Sequence, residues 1–213
     1  MRQAGLGPVA GADEAGRGAC AGPLVAAAVI LSDRPGDHIV GLADSKTLTA
    51  KARQRLYQAI WERARAVAWV QVEAAQCDAW GIQEANLQAL RRAVWRLSPR
   101  PGFVITDGFA VDGLPEAGLG MWKGDQVAPS VAAASIVAKV VRDRLMVQLD
   151  ALHPGYGFAQ HKGYCTQAHQ SALARLGPCP QHRLTYANVA RAADRPPPVA
   201  TPRRSGFARV RTP

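Results

Sequence analysis

Four acidic residues lie where the sequence predicts that a strand ends or a helix begins. Asp13 and Glu14 end one apolar run, and Asp107 ends another. Asp125 directly follows Lys123-Gly124, just before a predicted helix. Acidic residues are depleted within strands, and neighbouring carboxylates repel one another unless a cation binds them. Because carboxylate oxygens suit Mg²⁺ and Mn²⁺, these acids predict a site for one of those ions.

Each acid considered alone also fits a simpler interpretation, in which its carboxylate caps a turn or a helix. The joint occurrence favours a metal site, because acids are scarce: 26 lysines and arginines accompany 16 aspartates and glutamates, for a net charge of +10. Consecutive strand residues point to opposite faces of a sheet. Asp13 and Glu14 can therefore share a metal if the strand bends there or if Glu14 offers its backbone carbonyl. Gly16 and Gly18 give the chain that freedom.

The positive charge indicates a polyanionic partner. Half of it lies in residues 191–213, where six arginines accompany one aspartate and a run of three prolines. We therefore expect a catalytic domain over residues 1–190 and a disordered, basic, Pro/Arg-rich tail over residues 191–213.

The sequence lacks the usual features of membrane and secreted proteins. Hydrophobic residues make up 48% of the 213 positions, which is enough for a core, yet no apolar stretch approaches the ~20 residues of a membrane span. The N-terminal segment has no apolar signal region, and the four cysteines are scattered. We expect a cytoplasmic, monomeric protein with reduced thiols and no membrane contact.

Strand-like and helix-like patterns mix along the chain, which favours an α/β domain with a helical C-terminal region. A glycine-rich turn, Gly16-Arg17-Gly18, joins the first two predicted strands. Thr49 is placed to cap the first predicted helix. The predicted strands are 8–13, 24–31, 67–73 and 103–106, and the predicted helices are 49–66, 82–97, 130–149 and 166–176.

Several segments in order along the chain resemble the motifs of bacterial ribonuclease HII. Residues 11–31, GADEAGRGACAGPLVAAAVIL, are similar to the N-terminal signature of that family. The turn Gly16-Arg17-Gly18 favours this family over the sister family, ribonuclease HIII, which typically has Gly-Lys-Gly. The resemblance covers residues 8–190 and implies a ribonuclease H-like mixed sheet flanked by helices. The other similar segments are Asp44-Ser45-Lys46, Thr106-Asp107-Gly108, Lys123-Gly124-Asp125 with residues 130–146, GYGFAQHKGYCT at 155–166, and HRLTY at 182–186.

The chain departs from the family pattern at a few positions, none of them among the four acids. Cys165 replaces a small or turn-forming residue, and Cys77 replaces an aliphatic one. The closing motif reads Leu184-Thr185-Tyr186, where Ser-Phe is more usual.

The resemblance implies an endoribonuclease that hydrolyses the RNA strand of RNA–DNA hybrids and nicks DNA duplexes 5′ to embedded ribonucleotides. It leaves 5′-phosphate and 3′-hydroxyl ends. By position, Asp13, Glu14, Asp107 and Asp125 are the catalytic residues, and they would bind two divalent cations, Mn²⁺ or Mg²⁺.

The resemblance also implies residues that bind the substrate. The backbone of Gly16, Arg17 and Gly18 would sense the 2′-hydroxyl that separates RNA from DNA, although the tripeptide alone fits an ordinary turn. Tyr164 would pack against the sugar, or else be a half-buried core tyrosine. The candidates for phosphate contacts, each of which could also be an ordinary surface or structural residue, are Ser45, Lys46 and Lys123.

Four further polar residues receive lesser roles. His182 and Arg183 could face the substrate, while a lone histidine is more often structural. We expect Asp143 to form salt bridges on its helix and Asp44 to hold Lys46.

Two other functions remain open from the sequence. One is a different metal-dependent nuclease or phosphoryl transferase with the same carboxylates, which would also cut DNA lacking ribonucleotides. The other is a basic nucleic-acid-binding protein without catalysis, for which four acids at element ends and only 6% aromatic residues are a poor match.

Overall fold

The structure, a computed structural model, describes residues 7–42, 45, 47–108, 110–114 and 116–193. Its centre is a five-stranded mixed sheet with the strand order β3-β2-β1-β4-β5. The β1–β2 and β2–β3 pairs are antiparallel, whereas β4 runs parallel to both β1 and β5. The strands are β1 (Val9–Ala15), β2 (Leu24–Ile30), β3 (Ala66–Val72), β4 (Phe103–Asp107) and β5 (Ala117–Met121).

Eight α-helices and one short 3₁₀ helix, Pro35–Asp37, surround the sheet in the part of the chain that the structure describes. None of the helices described there is long and apolar enough to cross a membrane. The helices are α1 (Ala50–Arg63), α2 (Ala74–Trp80), α3 (Ile82–Trp95), α4 (Gly124–Val127), α5 (Pro129–Leu152), α6 (Phe158–His161), α7 (Gln167–Leu176) and α8 (Ala187–Ala192).

Both faces of the central strand β2 are buried, which explains why it reads as an unbroken apolar run, LVAAAVI. On one face, alternate residues of β1, β2 and β3 pack with α3 in a core that includes Leu24, Val70 and Leu90. On the other face, Val25 and Val29 pack with α1 and α5. The sheet is therefore the middle layer of a three-layer α/β/α sandwich.

Helix α5 lies unusually close to β1. A Cβ atom added at Gly11 would come within 2.1 Å of the Ser130 carbonyl carbon and 2.2 Å of the Val131 nitrogen. Small residues follow on the buried side of α5, including Ala133 and Ala134. The close approach brings the polar side chains at the start of α5 against the end of β1.

The predicted elements agree with the structure except at their ends. Thr49 caps α1 through its hydroxyl, which accepts a hydrogen bond from the Ala52 N–H, but α1 ends at Arg63 rather than at residue 66. Helix α5 is longer than predicted and continues to Leu152. The sequence analysis missed α2, α4, α6, α8 and β5, most of which are short and lack a clear apolar period.

Helix α8 extends past residue 190, the predicted boundary of the catalytic domain. Residues 194–213, which make up most of the predicted tail, lie outside the described residues. The division into domain and tail therefore stays a prediction.

Candidate active site

The parallel pairing of β1 with β4 brings acidic residues from two strands to one edge of the sheet. Ala12 pairs with Thr106, so the next residues along the two strands, Asp13 and Asp107, lie side by side. Neighbouring strands are about 4.8 Å apart, and in-register residues of parallel strands point to the same face. Glu14 follows directly on β1. The structure thus places three of the four acids predicted for the site at one edge of the sheet.

Asp13 is nearly buried, with 8% of its surface exposed. Its Oδ1 accepts a hydrogen bond from the Glu14 N–H at 2.8 Å, and its carboxylate also accepts one from the Ser135 hydroxyl on α5. Burial raises the pKa of Asp13 well above its usual value, and the charges of Glu14 and Asp107 raise it further. The two hydrogen bonds oppose this shift only in part. The ionised form of Asp13 is therefore costly in the free protein.

Glu14 points to the opposite face of the sheet, toward α3. Burial raises the pKa of its carboxyl, and the charge of Asp107 adds to that effect. The Arg17 guanidinium and the side-chain amide of Asn86 on α3 act in the other direction and lower the pKa. As strand geometry predicts, the side chains of Asp13 and Glu14 thus point to opposite faces of the sheet.

Asp107 organises the loop that carries the fourth acid. Its Oδ1 accepts a hydrogen bond from the Gly124 N–H at 2.7 Å. Lys123, the residue before Gly124, has a left-handed backbone conformation, with φ 54°, and an exposed side chain. Asp125 lies in the first turn of α4 and is 5% exposed. The hydrogen bond between Asp107 and Gly124 therefore ties the end of β4 to the start of α4, the helix that carries Asp125.

The donor set fits a divalent cation, because oxygen ligands suit Mg²⁺ and Mn²⁺ and because these buried carboxylates repel one another. Within the described ranges, no group of three or more His, Cys, Asp or Glu side chains is already gathered as a metal cluster. Coordination by both Asp13 and Glu14 would need a side-chain rotation or the backbone carbonyl of Glu14.

The glycine turn after β1 contacts several distant segments. Gly16 has φ 90°, and a Cβ there would fall 1.8 Å from the Arg142 Nε. Gly18 is exposed, and an added Cβ would have no heavy atom within 4 Å. Between them, the Arg17 guanidinium donates to the Gln83 Oε1 at 2.6 Å on α3. The turn is therefore tightly packed at its first glycine and open at its last one.

The remaining predicted substrate residues have different environments. Ser45 is 3% exposed, and its Oγ lies 2.9 Å from the Ser135 Oγ, which links it through Ser135 to Asp13. Tyr164 is 42% exposed, with the Arg142 guanidinium over its ring at 5.6 Å. Lys46, and Asp44 with which it was paired in the sequence analysis, lie outside the described residues.

A family model described as Ribonuclease HII matches residues 10–189. This chain belongs to the ribonuclease HII family. The ribonuclease HII of Cutibacterium acnes is 64% identical over 193 residues, which are 91% of this chain and 95% of that protein. The ribonuclease HII of Salinispora arenicola is 55% identical over 195 residues, which are 92% of this chain and 72% of that protein. The chain is accordingly a hydrolase, an endonuclease of the ribonuclease H type.

Solved structures of related enzymes have the same fold. The ribonuclease H2 from Pyrococcus horikoshii superimposes with a TM-score of 0.74 at 26% identity, over 87% of this chain and 97% of that one. Bst-RNase HIII in complex with Mn²⁺ gives a TM-score of 0.69 at 25% identity, over 87% of this chain and 69% of that one. The predicted fold class, a ribonuclease H-like mixed sheet flanked by helices, is confirmed.

Two family-motif residues lie inside the protein rather than at its surface. His182 and Arg183, considered as substrate contacts from the sequence, are only 2% and 0% exposed. The Tyr164 carbonyl can only accept, so His169 Nδ1 donates to it at 2.9 Å. The His169 Nε2 then accepts from the His182 Nε2, 3.1 Å away. His182 therefore acts from inside the protein, through His169, on the backbone of Tyr164.

Sequence reasoning missed the buried residues that support this site. Arg142 on α5 is fully buried and donates to three carbonyl oxygens, those of Ala21, Pro23 and Lys162. The one sequence feature that could have revealed Arg142 is its position on the otherwise apolar side of its helix. Its neighbour Asp143 forms the expected salt bridge, with Lys139 at 2.7 Å. The other missed residues are Ser135, Asn86 and His169, together with Tyr186, which the sequence analysis noted only as a departure from the family pattern.

Removing the buried charge of Asp13 should stabilise the metal-free protein. The raised pKa means that protonated Asp13 favours folding at acid pH, and this contribution is lost as the pH rises through the folded-state pKa. At pH 7 in EDTA, the free energy of unfolding of Asp13→Asn should therefore exceed that of the wild type by about 1 kcal/mol. Its melting temperature should be higher by roughly 2–4 °C. The difference should shrink toward pH 4.

Thermal melts of both proteins across this pH range measure the effect. Asp143→Asn is the matched control, because Asp143 on α5 is an acid whose charge is paired, with Lys139, and partly exposed. An Asp13→Asn protein that melts at or below the wild type throughout the range would show that Asp13 carries no repulsive charge.

Proposed function

We propose that this enzyme hydrolyses the RNA strand of RNA–DNA hybrids and nicks DNA duplexes 5′ to embedded ribonucleotides. It leaves 5′-phosphate and 3′-hydroxyl ends. The observation that carries the proposal is the position of the glycine turn, which directly follows the buried acids of β1 and exposes backbone beside them. A group that senses one sugar hydroxyl would thus lie next to the groups that cut the neighbouring phosphate.

The four acids Asp13, Glu14, Asp107 and Asp125 would hold the metal ions. When bound, a pair of divalent cations supplies a nucleophile from water and stabilises the charge that develops on the leaving 3′-oxygen. Asp13 would be oriented for its part by Ser135 and by the Glu14 N–H, which fix two of its lone pairs. Asp107 would couple the metal site to α4 through its hydrogen bond from Gly124.

Discrimination between RNA and DNA would come from the turn Gly16-Arg17-Gly18. The 2′-hydroxyl is the group that distinguishes the two sugars, and it both donates and accepts hydrogen bonds. Backbone amides can approach it only where no side chain intervenes, which Gly18 permits. Tyr164 would support the neighbouring sugar with its exposed ring.

Phosphate binding would be carried by lysines beside the acids. Lys123 is exposed and begins α4 next to Asp107, where its charge can meet a phosphate. Lys46 and Ser45 are the other proposed contacts. Because Ser45 is buried against Ser135, its bond to a phosphate would couple substrate binding to the position of Asp13.

A duplex with one embedded ribonucleotide tests the activity directly. The wild type should cut it 5′ to the ribonucleotide with Mn²⁺ or Mg²⁺, should be inactive in EDTA, and should leave the matched all-DNA duplex intact. Asp107→Asn should lose at least about 10²–10³-fold in rate, the loss typical of removing a group that stabilises transition-state charge. Asp143→Asn should cut like the wild type. Cleavage of the all-DNA duplex at a comparable rate would instead assign the chain to the general nucleases.

A methyl group at Gly18 tests the sugar contact. Because its Cβ meets open space, Gly18→Ala should fold and melt like the wild type. If the Gly18 backbone faces the 2′-hydroxyl, the variant should nick the one-ribonucleotide duplex at least tenfold more slowly. Its affinity for the all-DNA duplex should be unchanged, since phosphate contacts dominate that binding.

Gly36→Ala is the control for this experiment, because it also adds a methyl group in open space, but far from the turn. Equal losses of nicking and of DNA affinity in Gly18→Ala would indicate a general change of the surface and would remove the turn from sugar recognition.

A further inference from the structure

The carbonyl oxygen of Arg17, in the middle of the glycine turn, is held from inside the protein by two side chains. It accepts a hydrogen bond from the Tyr186 hydroxyl at 2.5 Å and another from the Arg183 Nη1 at 3.1 Å. Both donors come from the segment between α7 and α8, more than 160 residues away in sequence. This contact is therefore a tertiary restraint on the turn.

The two donors are themselves fixed. The Arg183 Nη1 also donates to the Tyr186 hydroxyl at 3.2 Å, and the guanidinium lies over the Tyr186 ring at 5.6 Å. Arg183 binds the same loop at two more carbonyls, through its Nη2 to Gly22 and through its backbone N–H to Cys20. A third anchor is Asp78 on α2, whose carboxylate accepts from the backbone N–H groups of the two residues that separate the donors.

The donor and acceptor in each of these hydrogen bonds follow from the chemical groups involved. The Arg17 carbonyl can only accept, so the Tyr186 hydroxyl donates to it; a guanidinium can only donate, so the same hydroxyl accepts from Arg183. Burial raises the pKa of Tyr186, so the hydroxyl keeps the proton that it donates throughout the neutral range.

An inward carbonyl determines where the next amide points. The peptide bond is planar and trans, so the Gly18 N–H points away from the Arg17 C=O of the same peptide unit. Because that carbonyl is directed at the buried Arg183, the Gly18 N–H is directed outward, at an exposed residue without a side chain.

We propose that Tyr186 and Arg183 are positioning residues for ribonucleotide recognition, which hold the Arg17 carbonyl inward so that the Gly18 N–H faces the 2′-hydroxyl. This inference rests on the proposed function. Without the Tyr186 hydroxyl, the peptide unit between Arg17 and Gly18 loses the shorter of the two hydrogen bonds that hold its carbonyl inward and can rotate more easily. The enzyme would then bind nucleic acid as before but distinguish ribose from deoxyribose less well.

Tyr186→Phe tests the inference, because it removes one hydroxyl and keeps the ring against Arg183. Tyr156→Phe is the matched control, because it also removes a tyrosine hydroxyl that donates to a carbonyl, in this case that of Gly177 at 2.7 Å rather than that of Arg17. Affinities for the one-ribonucleotide duplex and for the all-DNA duplex are measured in the Asp107→Asn background to prevent cleavage. The ratio of the two affinities should fall by roughly threefold to tenfold in Tyr186→Phe, the effect of about one hydrogen bond, and not in Tyr156→Phe.

Hydrogen exchange gives a second, activity-independent readout. Amides of residues 16–22 should exchange faster in Tyr186→Phe, whereas those of β2 should not change. An unchanged affinity ratio, equal loss of both affinities, or unchanged exchange in the turn would each overturn the inference. If the Asp107→Asn parent itself binds the two duplexes equally, the proposed sugar recognition fails first, which separates that result from a failure of the positioning residues.

Discussion

The repulsion between the buried and half-buried carboxylates at the ends of β1 and β4 is the interaction on which the rest of this structure depends. Asp13 and Asp107 are neighbours because β1 and β4 pair in parallel and in register. Placing charges there opposes folding, as the raised pKa values of Asp13 and Glu14 indicate. The fold stabilises this edge by close packing of α5 on β1, and it leaves the charges only partly compensated, which is the condition that favours a divalent cation.

Two buried arginine side chains hold the loops around the acids. Arg142 and Arg183 are fully buried, and most of their side-chain hydrogen bonds go to backbone carbonyls of the loops around the site. A guanidinium with five donors in a fixed plane can bind several carbonyls at once, so each arginine joins segments that are distant in sequence. At Arg17, the inward carbonyl turns the Gly18 N–H of the same peptide unit outward, whereas the amides that follow Ala21 and Lys162 bond inside the protein.

The two sides of the site are therefore complementary. The acids would hold cations that act on the phosphate, while the turn and Tyr164 would hold the sugar on which the choice of strand depends. His169 and Arg183 tie these loops to the interior, His169 at the Tyr164 carbonyl and Arg183 at the Arg17 carbonyl. A substrate that contacts the acids' metal ions and the turn would be oriented before any bond is broken. Such orientation contributes much of the rate enhancement of an enzyme.

Much of the fold and the acids of the site could be predicted from the sequence. Strand-end acids stand out because Asp and Glu rarely interrupt apolar runs, and Thr49 gives a local capping signal. The edge strand β5, AGLGM, has no such signal, because two of its five residues are glycine and it is largely exposed. The strand order and the β1–β4 register depend on tertiary packing. Arg142 was missed, and Arg183 was interpreted as a substrate contact, for a related reason: arginine is normally solvated, and only the fold shows which carbonyls surround it.

Calorimetric titration of the metal-free protein with Mn²⁺, repeated in buffers of different ionisation enthalpy, tests the central claim most directly. Carboxylates with raised pKa values hold protons that a cation must displace. We expect Mn²⁺ binding to release protons near pH 5, to release fewer as the pH rises, and to weaken strongly in Asp13→Asn. Binding without proton release at any pH, or unchanged binding in Asp13→Asn, would contradict the account.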